Sequence, residues 1–286
     1  MMSGLVDATR HVLTIAHLTL AEARRRRIVL AALLCALAFL AVFGTALVFA
    51  HRDMNADSSV SFIERQGILT ALTVIAFFAA NFLSVVLAVV LPVDTLSGEI
   101  DSGVIQTIAS KPVRRSEIVL GKWAGHLTIA VVYLLLISGG IVVIMRLVAG
   151  ASPLNVHRAL PLMVLEIALM LTVSIAGGAR LSTVANAIMT FGFYGVAFIG
   201  GFVEQAGVLA GVPSARTVGI VISLISPADA MWRLAAYEMQ PDLVRGLGPS
   251  QLLVASVPTP LMVWWAAGFT VVTLLYAIFI FRRRAL

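Results

Sequence analysis

Six apolar runs, at roughly 28–50, 68–91, 123–148, 159–178, 184–203 and 262–281, constrain this chain more than any other feature. Each is long enough to cross about 30 Å of hydrocarbon at about 1.5 Å of rise per residue. Inside hydrocarbon every backbone N–H and C=O must be satisfied within its own segment, so runs of this kind are helices. The expected fold is an all-α membrane protein with six transmembrane helices. Composition agrees: 12% of residues are charged and 60% hydrophobic, whereas a soluble domain is about a quarter charged.

Charge sets the orientation, because cytoplasmic loops are enriched in Lys and Arg. With the N-terminus inside, the inner segments hold thirteen Lys and Arg against six Asp and Glu, and the outer segments hold seven of each. Both termini are therefore expected in the cytoplasm, which requires an even number of spans. The pI of about 10.2 follows from this topology and is no nucleic-acid footprint. The stretch 206–226 resembles a seventh span, but it contains Pro213 and Arg216, and its clean apolar part, TVGIVISLIS, is about half a membrane thick. We expect 204–261 to be an outer segment with re-entrant or interfacial helices between spans five and six.

Residues 1–27 read as a cytoplasmic amphipathic helix, followed by a six-span domain over 28–286. Leu5, Thr9, Val12, Leu13, Ala16 and Leu20 share one face, with Arg10, His11, Glu22 and Arg24 mostly elsewhere. Such a helix lies along the membrane surface near anionic headgroups, or meets a partner protein. The run after Arg24–Arg27 is too long and begins too deep for a signal peptide, so an uncleaved first span is expected.

Between spans two and three the loop 92–122 is polar. SGEIDSGVIQTIASKPVRRSEIVLGK, residues 97–122, carries seven formal charges. Asp101, Lys111, Arg114, Arg115 and Lys122 would each cost about 2.5–3.5 kcal/mol at mid-membrane, so this loop stays in water or against protein. Ile100, Val104, Ile105 and Ile108 repeat at helical spacing, and Lys111-Pro112 stops that helix. Ser116 is placed to cap a second helix, with Glu117 in its first turn, running into span three. A helix, a proline break and a helix can pass a push from a soluble partner to the spans they join.

The run Gly98-Glu99, Ser102-Gly103, Ile108-Ala109-Ser110-Lys111-Pro112-Val113-Arg114-Arg115 and Glu117-Ile118-Val119-Leu120-Gly121-Lys122 resembles the signature of ABC-2 type permeases. Arg114 stands where Ser or Thr is common, and Ile108-Ala109 replaces a leucine pair. The resemblance implies two permease subunits, identical or different, around a central path in a prokaryotic inner membrane, each docked to a nucleotide-binding ATPase subunit. It makes the loop a coupling helix and carries partner-coupling roles to Glu99, Gly103, Lys111, Pro112, Arg114, Arg115, Glu117, Gly121 and Lys122. Glu99 becomes the central contact or hinge residue, Gly103 allows close helix approach, Pro112 sets the bend, and the basic residues face acidic groups or lipid phosphates. The chain is similar to permeases of gliding machinery and of nitrous-oxide-reductase maturation.

No phosphate-binding G-x-x-x-x-G-K-[ST] loop occurs: Gly121-Lys122-Trp123 lacks the leading glycine and the hydroxyl for magnesium. ATP and Mg are thus expected on a separate chain, and no cofactor in this one. One cysteine, Cys35, and five scattered histidines show no metal-ligand spacing. The motifs of intramembrane and hydrolytic enzymes are missing too, so the chain is expected to be no enzyme. Glu166, the carboxylate well inside a span, either lines the translocation path or pairs with Arg146. Asn81 and Asn186 suit interhelical hydrogen bonds and are further candidates for the path. The pairs Gly139-Gly140, Gly177-Gly178 and Gly200-Gly201 suit close helix packing or helix ends, and Trp123, Trp264 and Trp265 read as interfacial anchors. The expected function is export of a hydrophobic or amphipathic substrate. The alternative is an ABC-coupled mechanical module that acts on an outer partner without moving cargo.

Overall fold

The computed structural model describes residues 2–23, 27–56, 59, 61–93, 114–241 and 254–283. All nine elements described are α-helices, and six are long and apolar enough to span a membrane. They are α1 (Met2–Ala23), α2 (Arg27–Ala56), α3 (Phe62–Val93), α4 (Arg115–Ala149), α5 (Val156–Gly178), α6 (Thr183–Leu209), α7 (Pro213–Ile225), α8 (Ala228–Glu238) and α9 (Leu261–Arg283). The spans α2 to α6 and α9 match the six apolar runs, and the protein is an integral membrane protein. Its outer surface is apolar, with Leu37, Leu147, Phe202 and Trp264 exposed, as expected where lipid is the solvent.

The helices are not equivalent. α5 is the central post, buried without a break from Glu166 to Ile175 and packed against α3, α4, α6, α8 and α9. α2 and α9 sit at the periphery, with few buried residues. Small residues let the helices close on one another. A side chain at Gly140 would meet Leu40 of α2 at 2.6 Å, and Gly177 is covered by Asn186 and Met189 of α6.

α4 extends further than hydropathy alone indicates. Its 35 residues start at Arg115 and reach about 50 Å, well beyond a hydrocarbon core. Glu117, not Ser116, closes its first turn: Oε2 accepts the Arg114 backbone N–H at 3.1 Å. A carboxylate here also meets the positive end of the helix dipole.

The segment after α6 folds back on itself. α7 returns along α6, with Gly207 under the Ala215–Arg216 backbone, Gly219 against Glu204 and Gly200 against Ile222. A bend of 110° separates α7 from α8. α8 then runs along α5 to its starting end, where Asn155 Nδ2 donates to the Glu238 carbonyl at 3.2 Å and Arg158 lies 3.7 Å from the Glu238 carboxylate. α7 and α8 thus form a sharply bent pair in which the end of α8 lies beside the start of α5. The start of α4, the last turn of α9 and His11 of α1 lie together on one face of the bundle, called here the termini face.

Candidate functional site

On the termini face two helices, α1 and α9, converge on the first three turns of α4. Gly121 and Gly125, one helical turn apart, form a bare strip on which α1 lies. A Cβ at Gly121 would stand 2.6 Å from the Ile15 side chain and 3.0 Å from the Val12 carbonyl oxygen. At Gly125 it would stand 2.8 Å from Thr19 and 3.0 Å from the Ala16 carbonyl oxygen. His11 Nδ1 lies 3.0 Å from Glu117 Oε2, the oxygen that also receives the Arg114 amide. α1 is therefore docked on protein along the face that carries Val12 and Ala16, while Leu13 and Leu18 remain exposed.

The second connection is to the last span. Arg115 Nη1 donates to the Arg282 carbonyl at 3.2 Å and reaches the Phe281 carbonyl at 3.5 Å. These carbonyls belong to the last turn of α9, where no intrahelical donor remains and a cation is favoured. Arg114, Arg115, Ser116 and Arg282 line a recess of about 500 Å³. Three guanidinium groups there suit a carboxylate-bearing or phosphate-bearing partner.

Of the predicted coupling residues, Glu99, Gly103, Lys111 and Pro112 lie outside the described residues, as do the periodic residues Ile100 to Ile108. Arg114 is exposed at the helix start, Arg115 is half-buried, and Glu117 and Lys122 are buried. Gly121 proves to be a seat for α1. Its spacing to Gly125 was visible as a small-x-x-x-small pattern, the sequence signal for this docking.

In the interior, Glu166 and Asn81 come together. Asn81 Nδ2 donates to Glu166 Oε2 at 2.9 Å, and both side chains are fully buried. The Arg146 pairing is not formed, because Arg146 Nε donates to Ser152 at 2.7 Å beyond the end of α4. Glu166 Oε1 and Asn81 Oδ1 are each buried and receive no hydrogen bond. Asn186 stands apart from this pair and fastens α6 to α5, its Nδ2 donating to the Ser174 carbonyl at 2.9 Å. Trp123 is not simply an interfacial anchor: its Nε1 donates to Thr172 of α5 at 2.8 Å.

Sequence reasoning missed a buried ionic cluster at the hairpin. Arg233 of α8 donates through Nε to Asp229 at 2.8 Å and through Nη2 to Glu204 of α6 at 2.9 Å and Ser223 of α7 at 3.0 Å. Its Nη1 reaches the Ser256 carbonyl at 3.3 Å, and the Ser256 hydroxyl donates to the second Glu204 oxygen at 2.5 Å. Gln205 Oε1 accepts the Ala255 backbone N–H at 2.7 Å. Gly201 leaves the space that the Asp229 carboxylate occupies. Asp229 and Arg233 at i, i+4 were the available signal; their partners from α6, α7 and 254–256 were not. Among the described residues no group of three or more His, Cys, Asp or Glu side chains is placed to hold a metal ion.

Six spans, one of them the buried central helix α5, with a bent helix pair and a basic, helix-joining site define a polytopic membrane protein. The chain belongs to the ABC-2 family transporter proteins, whose family model matches residues 13–286. It is thus an ABC transporter permease. Among curated proteins no match is found.

Proposed function

We propose that this permease exports a hydrophobic or amphipathic substrate across a prokaryotic cytoplasmic membrane, driven by ATP hydrolysed on a separate nucleotide-binding subunit. That subunit docks on the termini face, which the Lys and Arg distribution assigns to the cytoplasm. Two permease subunits pair around the path, as the family resemblance implies. The observation that carries the reading is the convergence at residues 114–125: the chain leaving the polar loop enters a helix to which both α1 and α9 are tied.

In this mechanism an acidic element of the ATPase engages Lys111 and the Arg114–Arg115 recess, while a hydrogen-bond donor or basic group of the ATPase meets Glu99. A displacement there enters α4 at its first turn. α4 is continuous over 35 residues, so it carries the displacement to the opposite face as a rigid rod. The Gly121–Gly125 seat moves α1 with it, and Arg115 moves the end of α9. Parting of α3 from α5 then opens the Asn81–Glu166 pair toward the path, where its two donor-free oxygens receive polar groups of the substrate.

The test is purification in mild detergent from native membranes, followed by transport and ATPase assays in vesicles. Wild type should bring down an ATPase carrying a phosphate-binding loop, and cargo should stimulate its turnover. Glu99→Ala and Arg115→Glu should insert normally but hydrolyse ATP without transport. Normal coupling in both variants would remove the role given to this site. An associated ATPase that no cargo stimulates, together with a partner bound at 204–261, would favour the mechanical module instead.

A further inference from the structure

Beside the last two turns of α9 lies a groove of about 450 Å³ that the transport mechanism does not use. Its size falls within the roughly 300–1,000 Å³ of small-molecule sites. Tyr276, Phe279, Ile280 and Arg283 of α9 form one wall, and Ala179 and Arg180 of the α5–α6 turn form the other. The four α9 residues fall on one stripe, at helical spacings of three, four and seven. The opposite wall is held by backbone hydrogen bonds. The Ala179 amide donates to the Ile175 carbonyl at 3.1 Å, and the Arg180 and Leu181 amides donate to the Gly177 carbonyl at 3.0 and 2.8 Å. α5 packs along α9, so this turn is carried to the groove by the central helix.

Two observations select the occupant. The first is charge. Arg180 and Arg283 both line the groove and are exposed, and no Asp or Glu lines it. Among the described residues neither guanidinium has a carboxylate partner. Arg283 Cζ stands 4.2 Å from the centre of the Phe279 ring. That contact uses the flat face of the guanidinium and leaves its edge N–H groups for a phosphate. The second is the apolar wall. Tyr276 and Phe279 are 52% and 50% exposed on a membrane span, and the stripe continues to Val272 at 65%. From Val272 to Arg283 is about 16 Å along the helix, the depth of one leaflet. A water-soluble anion would leave this wall uncovered, whereas a molecule with an anionic head and a hydrocarbon chain covers all of it. Arg282, about 100° further round α9, lines the recess with Arg114 and Arg115, so the two basic sites face different directions.

We propose that this groove binds an anionic glycerophospholipid of the leaflet on the termini face. The phosphate group bridges Arg180 and Arg283, and one acyl chain lies along Phe279, Tyr276 and Val272. The lipid thereby ties the α5–α6 turn to the end of α9, the same end whose carbonyls receive Arg115.

Native mass spectrometry of the delipidated full chain tests this, with titration by palmitoyl-oleoyl phosphatidylglycerol and by phosphatidylcholine of the same chains. Wild type should bind the first phosphatidylglycerol about 25-fold more tightly than phosphatidylcholine, from about fivefold, or about 1 kcal/mol, for each of two arginines. Arg180→Gln and Arg283→Gln should each cut the preference to about fivefold. The double variant should abolish it and leave phosphatidylcholine binding unchanged. Arg10→Gln, which removes another exposed arginine of the same face, should leave the first binding event as it is. Glycerol phosphate, a headgroup without chains, should not displace the lipid. Equal affinity for the two lipids in wild type overturns the site, as does an undiminished preference in the folded double variant. An effect of Arg10→Gln equal to that of Arg180→Gln overturns it in favour of diffuse surface charge, and displacement by glycerol phosphate in favour of a soluble anion. A protein, or a second copy of the chain, bound in place of lipid and lost in the double variant overturns it as well. None of these results depends on whether an ATPase docks at residues 114–122.

Discussion

Arg233→Ala tests the buried cluster that holds the hairpin. Arg233 is 2% exposed and makes hydrogen bonds to Asp229, Glu204, Ser223 and the Ser256 carbonyl. Removing it leaves the Glu204 and Asp229 carboxylates, 4% and 8% exposed, without their cation. Loss of one partner from a buried ion pair costs about 3–5 kcal/mol, mostly because a charge is left uncompensated. Ser223 and Ser256 still donate to Glu204, so we take the lower part of that range, about 3–4 kcal/mol. At roughly 2–4 °C per kcal/mol, the apparent unfolding midpoint should fall by about 10 °C. The assay is thermal unfolding of the detergent-purified protein at one scan rate. The decisive companion is the triple variant Arg233→Met, Glu204→Gln, Asp229→Asn, which removes all three charges and keeps the shapes. It should recover more than half of the lost stability, since neutral replacement of a whole buried ionic group is often close to neutral. A single variant within 2 °C of wild type, where about 10 °C is expected, would refute the reasoning, as would a triple variant no better than the single one.

Further expectations concern the helix contacts. Gly125→Leu overpacks the α1 seat by about 1–3 kcal/mol and, by loosening the docked helix, should speed tryptic cleavage after the exposed Arg10, whereas Gly139→Ala, with open space around it, should be silent in the same digest. Gly177→Ala should destabilise by driving a methyl into the Asn186 side chain; adding Asn186→Ala should relieve part of the loss, read as a positive coupling in a double-mutant thermal cycle. Asn186→Leu alone should cost about 0.6–1.7 kcal/mol, the range measured for interhelical hydrogen bonds in membranes. Asn81→Leu should lower the unfolding midpoint more than the double variant Asn81→Leu, Glu166→Leu, because the single change removes the amide that donates to a fully buried carboxylate.

One feature of the termini-face site was legible for a local reason: Glu117 at the start of α4 follows the rule that acids favour helix N-termini. The docking of α1 was only half legible. Its amphipathic face and the Gly121–Gly125 spacing were both in the sequence, but neither indicated that one meets the other. The Arg115 contact with α9 was hidden, since the two residues are 167 positions apart.

The six long apolar segments and their helical state were determined by the sequence alone. In hydrocarbon each segment must satisfy its own backbone, so its fate depends on its own length and hydropathy and hardly on its neighbours. Tertiary structure decided everything that depends on which helix stands beside which. It paired Glu166 with Asn81, 85 residues away, instead of Arg146. It gathered Glu204, Ser223, Asp229, Arg233 and Ser256 into one cluster, and it set α8 at a 110° bend from α7. Lipid is as apolar as the helix surfaces, so hydrophobicity does not choose among these packings; close contact at glycines and buried polar pairing do.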